Sequence, residues 1–255
     1  MGKIIAITNQ KGGVGKTTTS INLSASLGSM GKKTLVIDVD PQGNTTSGLG
    51  FDRRSIVMST YDVLVDGTDV NDVILTTEFK NLDLIPSNID LAAADLELID
   101  LPNRDSRLKD AISPVKDSYD YIIIDCPPSL GLITTNALCA SDSILIPAQC
   151  EYYALEGISQ LMNTVKRIKR QCNDRLEIEG VLMTMYDSRL NLTQQVVDEV
   201  KKHFSKKVFN TVIPRGVRLS EAPSYGQPIL YFDKSSKGSK AYVDLAEEIC
   251  KNNEV

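Results

Sequence analysis

Short apolar runs alternate with longer segments of helical period almost to the end of the chain. Lys3–Thr8, Thr34–Asp40, Leu82–Pro86, Tyr119–Cys126, Ser143–Ala148, Ile178–Met185 and Val208–Ile213 carry dense Ile, Val and Leu and read as buried strands. Between them the period changes to that of a helix, from Thr17 to about Met30, after Asn88, and over 104–116, 151–172, 192–204 and 236–251. Glu151–Cys172 is the most amphipathic of these, with Leu155, Ile158, Leu161, Met162, Val165 and Ile168 in one stripe. Pro114 should end or kink its helix early. Tyr61–Val65 and Val70–Leu75 read as short helices, Ile229–Phe232 as a last short strand, and Pro214–Pro228 as a long loop with room for short helical turns. Strands separated by helices predict βαβ units, hence an α/β fold with a mostly parallel twisted sheet flanked by helices on both faces. No linker, repeat or low-complexity tract divides residues 1–255, so they read as a single domain.

Composition narrows the classes without choosing one. The apolar fraction of 42% and charged fraction of 24% are those of an ordinary globular chain. No apolar run approaches membrane-spanning length, and the N-terminal apolar stretch lacks a cleavage signature. The five cysteines are widely and irregularly spaced with no C-x-x-C, which predicts reduced core thiols in a cytoplasm rather than a disulfide framework or a metal cluster. The net charge of -5 argues mildly against nucleic acid, but a local basic face or a dimer can still track phosphates.

The chemistry gathers at strand ends. After the first strand comes Lys11-Gly12-Gly13-Val14-Gly15-Lys16-Thr17-Thr18, then a helix. Three glycines let the backbone turn and approach an anion, and the helix start adds exposed N–H groups and a positive dipole end. Lys16 can reach the β- and γ-phosphates, and the Thr17 hydroxyl can ligate Mg²⁺. The loop is a variant of the usual phosphate-binding pattern, with Gln10 where the first glycine would stand and a second lysine, Lys11. Asp125 ends the most strand-like run and can hold Mg²⁺ through water. Asp40 can orient an attacking water. Asp38 can support the Mg²⁺ shell or the loop lysine, or be a structural acid. His203, the one histidine, sits in a basic helical segment and reads as a surface residue. The basic helix end Lys166, Arg167, Lys169 and Arg170 reads as solvated or as a binding patch.

Four motifs in order, Thr8–Thr17, Asp38–Asn44, Ile124–Gly131 and Ile213–Arg215 with Leu219–Gly226, resemble the Soj-type ParA partition ATPases of the ParA/MinD superfamily, over essentially the whole chain. The resemblance implies a P-loop NTPase fold that uses ATP and Mg²⁺ and forms a sandwich homodimer on ATP. It implies that Lys11 reaches the partner's phosphates, that residues from Lys11 to Thr18 (Gly12, Gly13, Val14, Gly15, Lys16 and Thr17 among them) hold nucleotide, and that Thr17, Asp125 and Asp38 serve the metal. Catalysis would fall to Lys11, Lys16 and Asp40. Pro214 would lie against adenine. Gly216 replaces a residue that is often asparagine, so any base contact there passes to the backbone. Arg189 and Arg218 match residues that bind double-stranded DNA without sequence preference. Lys234, Lys237 and Lys240 read as solvated neighbours of that face. A ParB-like partner with a basic N-terminal segment would accelerate slow hydrolysis, in a cytoplasmic protein associated with the nucleoid. Two other readings share the loop. A MinD-like membrane-cycling ATPase would need a basic amphipathic tail, and only Asn252–Val255 follow the last helix. A small-molecule ATP-dependent ligase of the same fold is the other; the Ser-Glu-Ala-Pro loop and the arginine pair speak against it.

Overall fold

The computed structural model describes residues 2–151 and 154–253, without the side chains of residues 154–156, 192 and 206. Its strands are β1 (Lys3–Ile7), β2 (Thr34–Asp38), β3 (Leu75–Thr76), β4 (Leu82–Ile85), β5 (Tyr121–Asp125), β6 (Ser143–Gln149) and β7 (Glu177–Thr184). Its helices are α1 (Lys16–Ser29), α2 (Asn44–Gly48), α3 (Val70–Val73), α4 (Leu91–Glu97), α5 (Arg107–Ile112), α6 (Leu132–Ala140), α7 (Ala154–Gln171), α8 (Asn191–Phe204), α9 (Val217–Glu221), α10 (Ile229–Phe232) and α11 (Lys237–Asn253).

Strand alternation assigns the two faces of one sheet. Ile4 and Ala6 of β1, Leu35 and Ile37 of β2, and Ile122 and Ile124 of β5 join one core with α4–α8. Ile5 and Ile7, Val36 and Ile123 join the other, beneath α1 and α11. Both sets are buried, so the strands are apolar on both faces, as a helix-covered parallel sheet requires. Each buried Ile or Leu contributes roughly 1.5–3 kcal/mol. The strand order is β3-β4-β2-β5-β1-β6-β7, parallel except for the edge strand β3. This order sets β1 and β2 on either side of β5, with Ile7 and Asp38 both in register with Asp125. The chemistry-bearing strand ends thus meet at one edge.

Helix α1 lies close against its surroundings. A Cβ on Gly28 would stand 2.3 Å from the Lys80 carbonyl oxygen, so the helix requires glycine there. Gly28→Ala should cost about 2–3 kcal/mol of stability, read as a lowered denaturation midpoint, because the obstacle is backbone.

Several predicted elements differ. Val208–Ile213 is not a strand of the sheet. It follows β7 through the bridge Val181–Val208 and two backbone bonds, Phe209 N to Val181 O and Ile213 N to Met183 O. The amides of Asn210 and Thr211 instead donate to the Glu248 carboxylate on α11, at 2.8 and 3.0 Å. Ile229–Phe232 is one helical turn, capped by the Pro228 carbonyl, which accepts from Tyr231 N and Phe232 N. The short helix at Val70 stops at Val73, and Leu75–Thr76 pairs antiparallel with β4. Helices α2 and α6 were not legible in the pattern. α6 is buried on almost every side, so it shows no polar stripe. Cys139 on α6 and Cys172 just beyond α7 are disulfide-bonded with Cα atoms 5.7 Å apart, a correction to the expectation of reduced thiols throughout. Packing of two helices brought them within bonding range, which spacing along the chain does not reveal. Cys126, Cys150 and Cys250 are free and buried. Tyr152, Tyr153 and the Leu155 side chain of the predicted α7 stripe lie outside the described residues; Ile158, Leu161, Val165 and Ile168 are buried.

Candidate nucleotide-binding site

The loop between β1 and α1 holds its shape through residues on two neighbouring strands, β6 and β7. Asn9 Nδ2 donates to Pro147 O at 2.7 Å, and its Oδ1 accepts from Lys11 N at 3.1 Å. Gln149 Nε2 donates to Gly13 O at 2.8 Å, and Thr184 Oγ1 to Val14 O at 2.8 Å. Gly13 (φ 72°) and Gly15 (φ 91°) take the left-handed backbone that side chains resist. Among the described residues, and apart from the adjoining ones in the chain, no heavy atom lies within 4 Å of where a Cβ on Gly12 or Gly13 would stand, leaving an open cradle. Helix α1 begins at Lys16, so its first amides face that cradle.

Lys16 is buried, and its Nζ donates to the Lys11 carbonyl at 3.2 Å. Burial lowers its pKa against the pull of Asp125, Cys126 and Asp40. An anion in the cradle would stabilise the charged ammonium. Lys11 points elsewhere: its Nζ is 2.7 Å from Glu151 Oε2, with side-chain exposures of 33% and 58%.

Asp125 is fully buried and accepts three hydroxyls. Thr17 Oγ1 (2.9 Å) and Thr45 Oγ1 (2.8 Å) share Oδ2, and Ser20 Oγ takes Oδ1 at 2.9 Å. Thr17 stands in the loop motif, whereas Thr45 and Ser20 carry no motif signal that marks them as partners of Asp125. Ser20 is three residues on from Thr17 along α1, a spacing that puts both on one helix face. Asp38, opposite Asp125 in register, accepts from Asp40 N at 3.2 Å through Oδ1, and from Thr46 N and Oγ1, both at 2.8 Å, through Oδ2. Its hydrogen bonds therefore hold the loop that carries Asp40. Asp40 accepts from Gln42 N at 2.9 Å, and Ser87 Oγ donates to its carbonyl at 2.8 Å.

Two carboxylates buried side by side resist ionisation. Burial first, then the Asp125 charge, pushes Asp38 up to about 8; burial pushes Asp125 up to about 6 against its three hydroxyl donors. An acid with a folded pKa above its unfolded value binds extra protons when folded, so stability falls as pH rises between the two values. The nucleotide-free, chelator-treated chain should therefore melt several degrees lower at pH 8 than at pH 5.5, and a flat or rising melting temperature would contradict this pair.

The donor set fits Mg²⁺. Thr17 and Asp125 offer hard oxygens, and among the described residues no cluster of three His, Cys, Asp or Glu side chains could hold a metal alone. Mg²⁺ usually takes one or two protein oxygens and completes its shell with phosphates and water. Beside the loop a cavity of about 350 Å³ is lined by Gly15, Thr18, Thr184, Pro214, Gly216 and Tyr242, among others. It brings Thr18, Pro214 and Gly216 together. Its volume suits a nucleoside.

Arg189 and Arg218 are both exposed, at 85% and 61% of their side chains. Arg189 pairs with Asp187 at 2.6 Å, and Arg218 with Glu221 at 3.0 Å. Tyr186 bridges Pro214, and Arg215 N donates to Tyr186 O, so the two arginine-bearing segments are bonded together. Arg218 also shares a cavity with Arg215 and Lys237. His203 is a surface residue, 57% exposed, as expected.

A glycine loop between a strand and a helix, with a strand-end carboxylate bonded to the helix's first threonine, defines a P-loop nucleotide-binding protein. A family model described as an AAA domain matches residues 2–178. The chain is 60% identical over 252 residues to the sporulation initiation inhibitor protein Soj of Bacillus subtilis, covering 99% of this chain and 100% of that protein. It is 52% identical over 253 residues to the chromosome partitioning protein ParA of Myxococcus xanthus, covering 99% and 89%. Among solved structures, cobyrinic acid a,c-diamide synthase of Mycobacterium smegmatis with bound ATP analogue and magnesium matches with a TM-score of 0.90 at 33% identity, over 100% and 96% of the two chains. The chain belongs to the Soj/ParA family of chromosome-partitioning ATPases. Among the described residues no helix is long and apolar enough to cross a membrane.

Proposed function

We propose that this chain is a Mg-ATP-dependent ATPase that closes into a face-to-face dimer on ATP and binds double-stranded DNA without sequence preference in that state. With a ParB-like partner it partitions a chromosome or plasmid, in the cytoplasm and on the nucleoid. The observation that carries this reading is the division of labour between two lysines on one loop. Lys16 is buried at the cradle, and Lys11 sends its ammonium away from it to an accessible carboxylate. One cation suits the chain's own phosphates; the other is left to serve a second chain's in this reading.

Amides from Gly12 to Thr18 hold the triphosphate, and Lys16 exchanges the Lys11 carbonyl for phosphate oxygens. Thr17 and, through water, Asp125 would hold Mg²⁺, which supplies charge neutralisation at the phosphates when bound. Asp38 fixes the loop so that Asp40 orients the attacking water. Pro214 and Gly216 lie along the base. The partner's Lys11 supplies the charge that an arginine finger supplies elsewhere. Losing the γ-phosphate removes what both Lys11 ammonium groups grip, and the dimer opens. Hydrolysis is slow alone and is accelerated by the partner's basic segment.

A DNA retardation assay tests the DNA arm. Long duplex DNA should shift with ATP and Mg²⁺ and not with ADP. Arg189→Ala and Arg218→Ala should each weaken binding and lower the salt slope by about 1. Equal retardation without nucleotide contradicts the reading, and no retardation in any state favours the small-molecule ligase.

A further inference from the structure

Glu151 is given no role of its own in the reading above, yet its carboxylate occupies the lysine that matters most. It follows the end of β6, 140 residues from Lys11 along the chain. Lys11 is held at both ends. Its amide donates to Asn9, whose own amide is tied to β6 through Pro147 O, and its ammonium sits on Glu151 beyond the end of that strand. A Cβ on Gly157 of α7 would come within 4.0 Å of Lys11 Cβ and 3.5 Å of Asn9 Oδ1, so the helix after Glu151 lies along the same side chain. The ammonium cannot serve this carboxylate at full strength and also serve phosphates on a second chain.

We infer that Glu151 is a positioning residue that parks Lys11 on its own chain and sets the threshold for ATP-driven dimerisation. The inference rests on the cross-chain reading of Lys11. Parking keeps an unpaired cation away from the chain's own nucleotide and gives Lys11 one orientation from which to leave. It also opposes closure, since each chain must break its pair before the sandwich forms. An exposed ion pair of this kind shifts an equilibrium by only about 2- to 5-fold. A symmetric dimer breaks two, so the effects multiply to about 4- to 25-fold. This is a tuning device, strong enough to keep chains apart at low ATP and weak enough to yield to a triphosphate.

The test compares wild type, Glu151→Gln and Lys11→Ala by sedimentation, without DNA, in a non-hydrolysable ATP analogue with Mg²⁺ and in ADP. Glu151 is exposed, so its amide variant should fold and melt as wild type. Glu151→Gln should lower the dimer dissociation constant in the analogue by about 4- to 25-fold and leave the ADP form monomeric. The gap from wild type should narrow as salt is raised, because salt screens an exposed pair; a merely structural effect would not narrow. A dissociation constant equal to or above that of wild type, or a gap indifferent to salt, overturns the role of Glu151. Normal dimerisation of Lys11→Ala would instead overturn the reading beneath it, so the two failures are distinguishable.

Discussion

Lys11→Ala should remain a monomer in ATP while binding the nucleotide within a few-fold of wild type. Lys16, the glycine cradle and the Thr17–Asp125 pair are untouched by the substitution. Truncating one partner of a desolvated charge pair at an interface costs about 2–5 kcal/mol. A symmetric dimer loses two, so at least about 4 kcal/mol, or roughly a thousandfold in the dimer dissociation constant. The fold should not suffer, because the Lys11–Glu151 pair is exposed and worth at most about 1 kcal/mol. Sedimentation with a non-hydrolysable analogue and a nucleotide-binding titration check both halves. A monomer that no longer binds ATP would mean that Lys11 serves its own chain.

Asp40→Ala should nearly abolish turnover and leave the ATP dimer standing. Asp40 is only 8% exposed at the strand-end loop, and its charge acts on both Lys16 and Asp125. A carboxylate that orients or accepts a proton from an attacking water contributes about 10²–10⁴-fold. Single-turnover hydrolysis should fall by that factor, while ATP-driven dimerisation and DNA retention persist or lengthen. Asp40→Asn separates chemistry from structure. It keeps an oxygen for the Gln42 amide and should be equally slow. Retained turnover in both variants would remove Asp40 from catalysis.

Much of this site was legible because its signals are local. A strand run, three glycines, Lys16 and Thr17 lie within fifteen residues, and two further acids sit at the ends of apolar runs. Strand pairing then did what the pattern implied, setting Asp38 and Ile7 in register with Asp125. What stayed hidden depends on distant segments. Thr45 reaches Asp125 from a helix of five residues too short to show a period. Gln149 and Thr184 pin the loop from the ends of β6 and β7 and carry no motif of their own. Glu151 reads as one more acid at a helix start until the fold brings Lys11 to it. The stretch Val208–Ile213 has the composition of a strand, but a carboxylate on α11 takes the amides a ladder would need. Asp38 was readable as a metal or lysine partner or as a structural acid; its hydrogen bonds hold the Asp40 loop.

A crystal structure with a non-hydrolysable ATP analogue and Mg²⁺ puts the central claim to the most direct measurement. Two protomers should face each other across two nucleotides, with Lys11 Nζ off Glu151 and within hydrogen-bond distance of the other chain's phosphates. A nucleotide-filled chain whose Lys11 reaches its own phosphates, or stays on Glu151, would contradict the account.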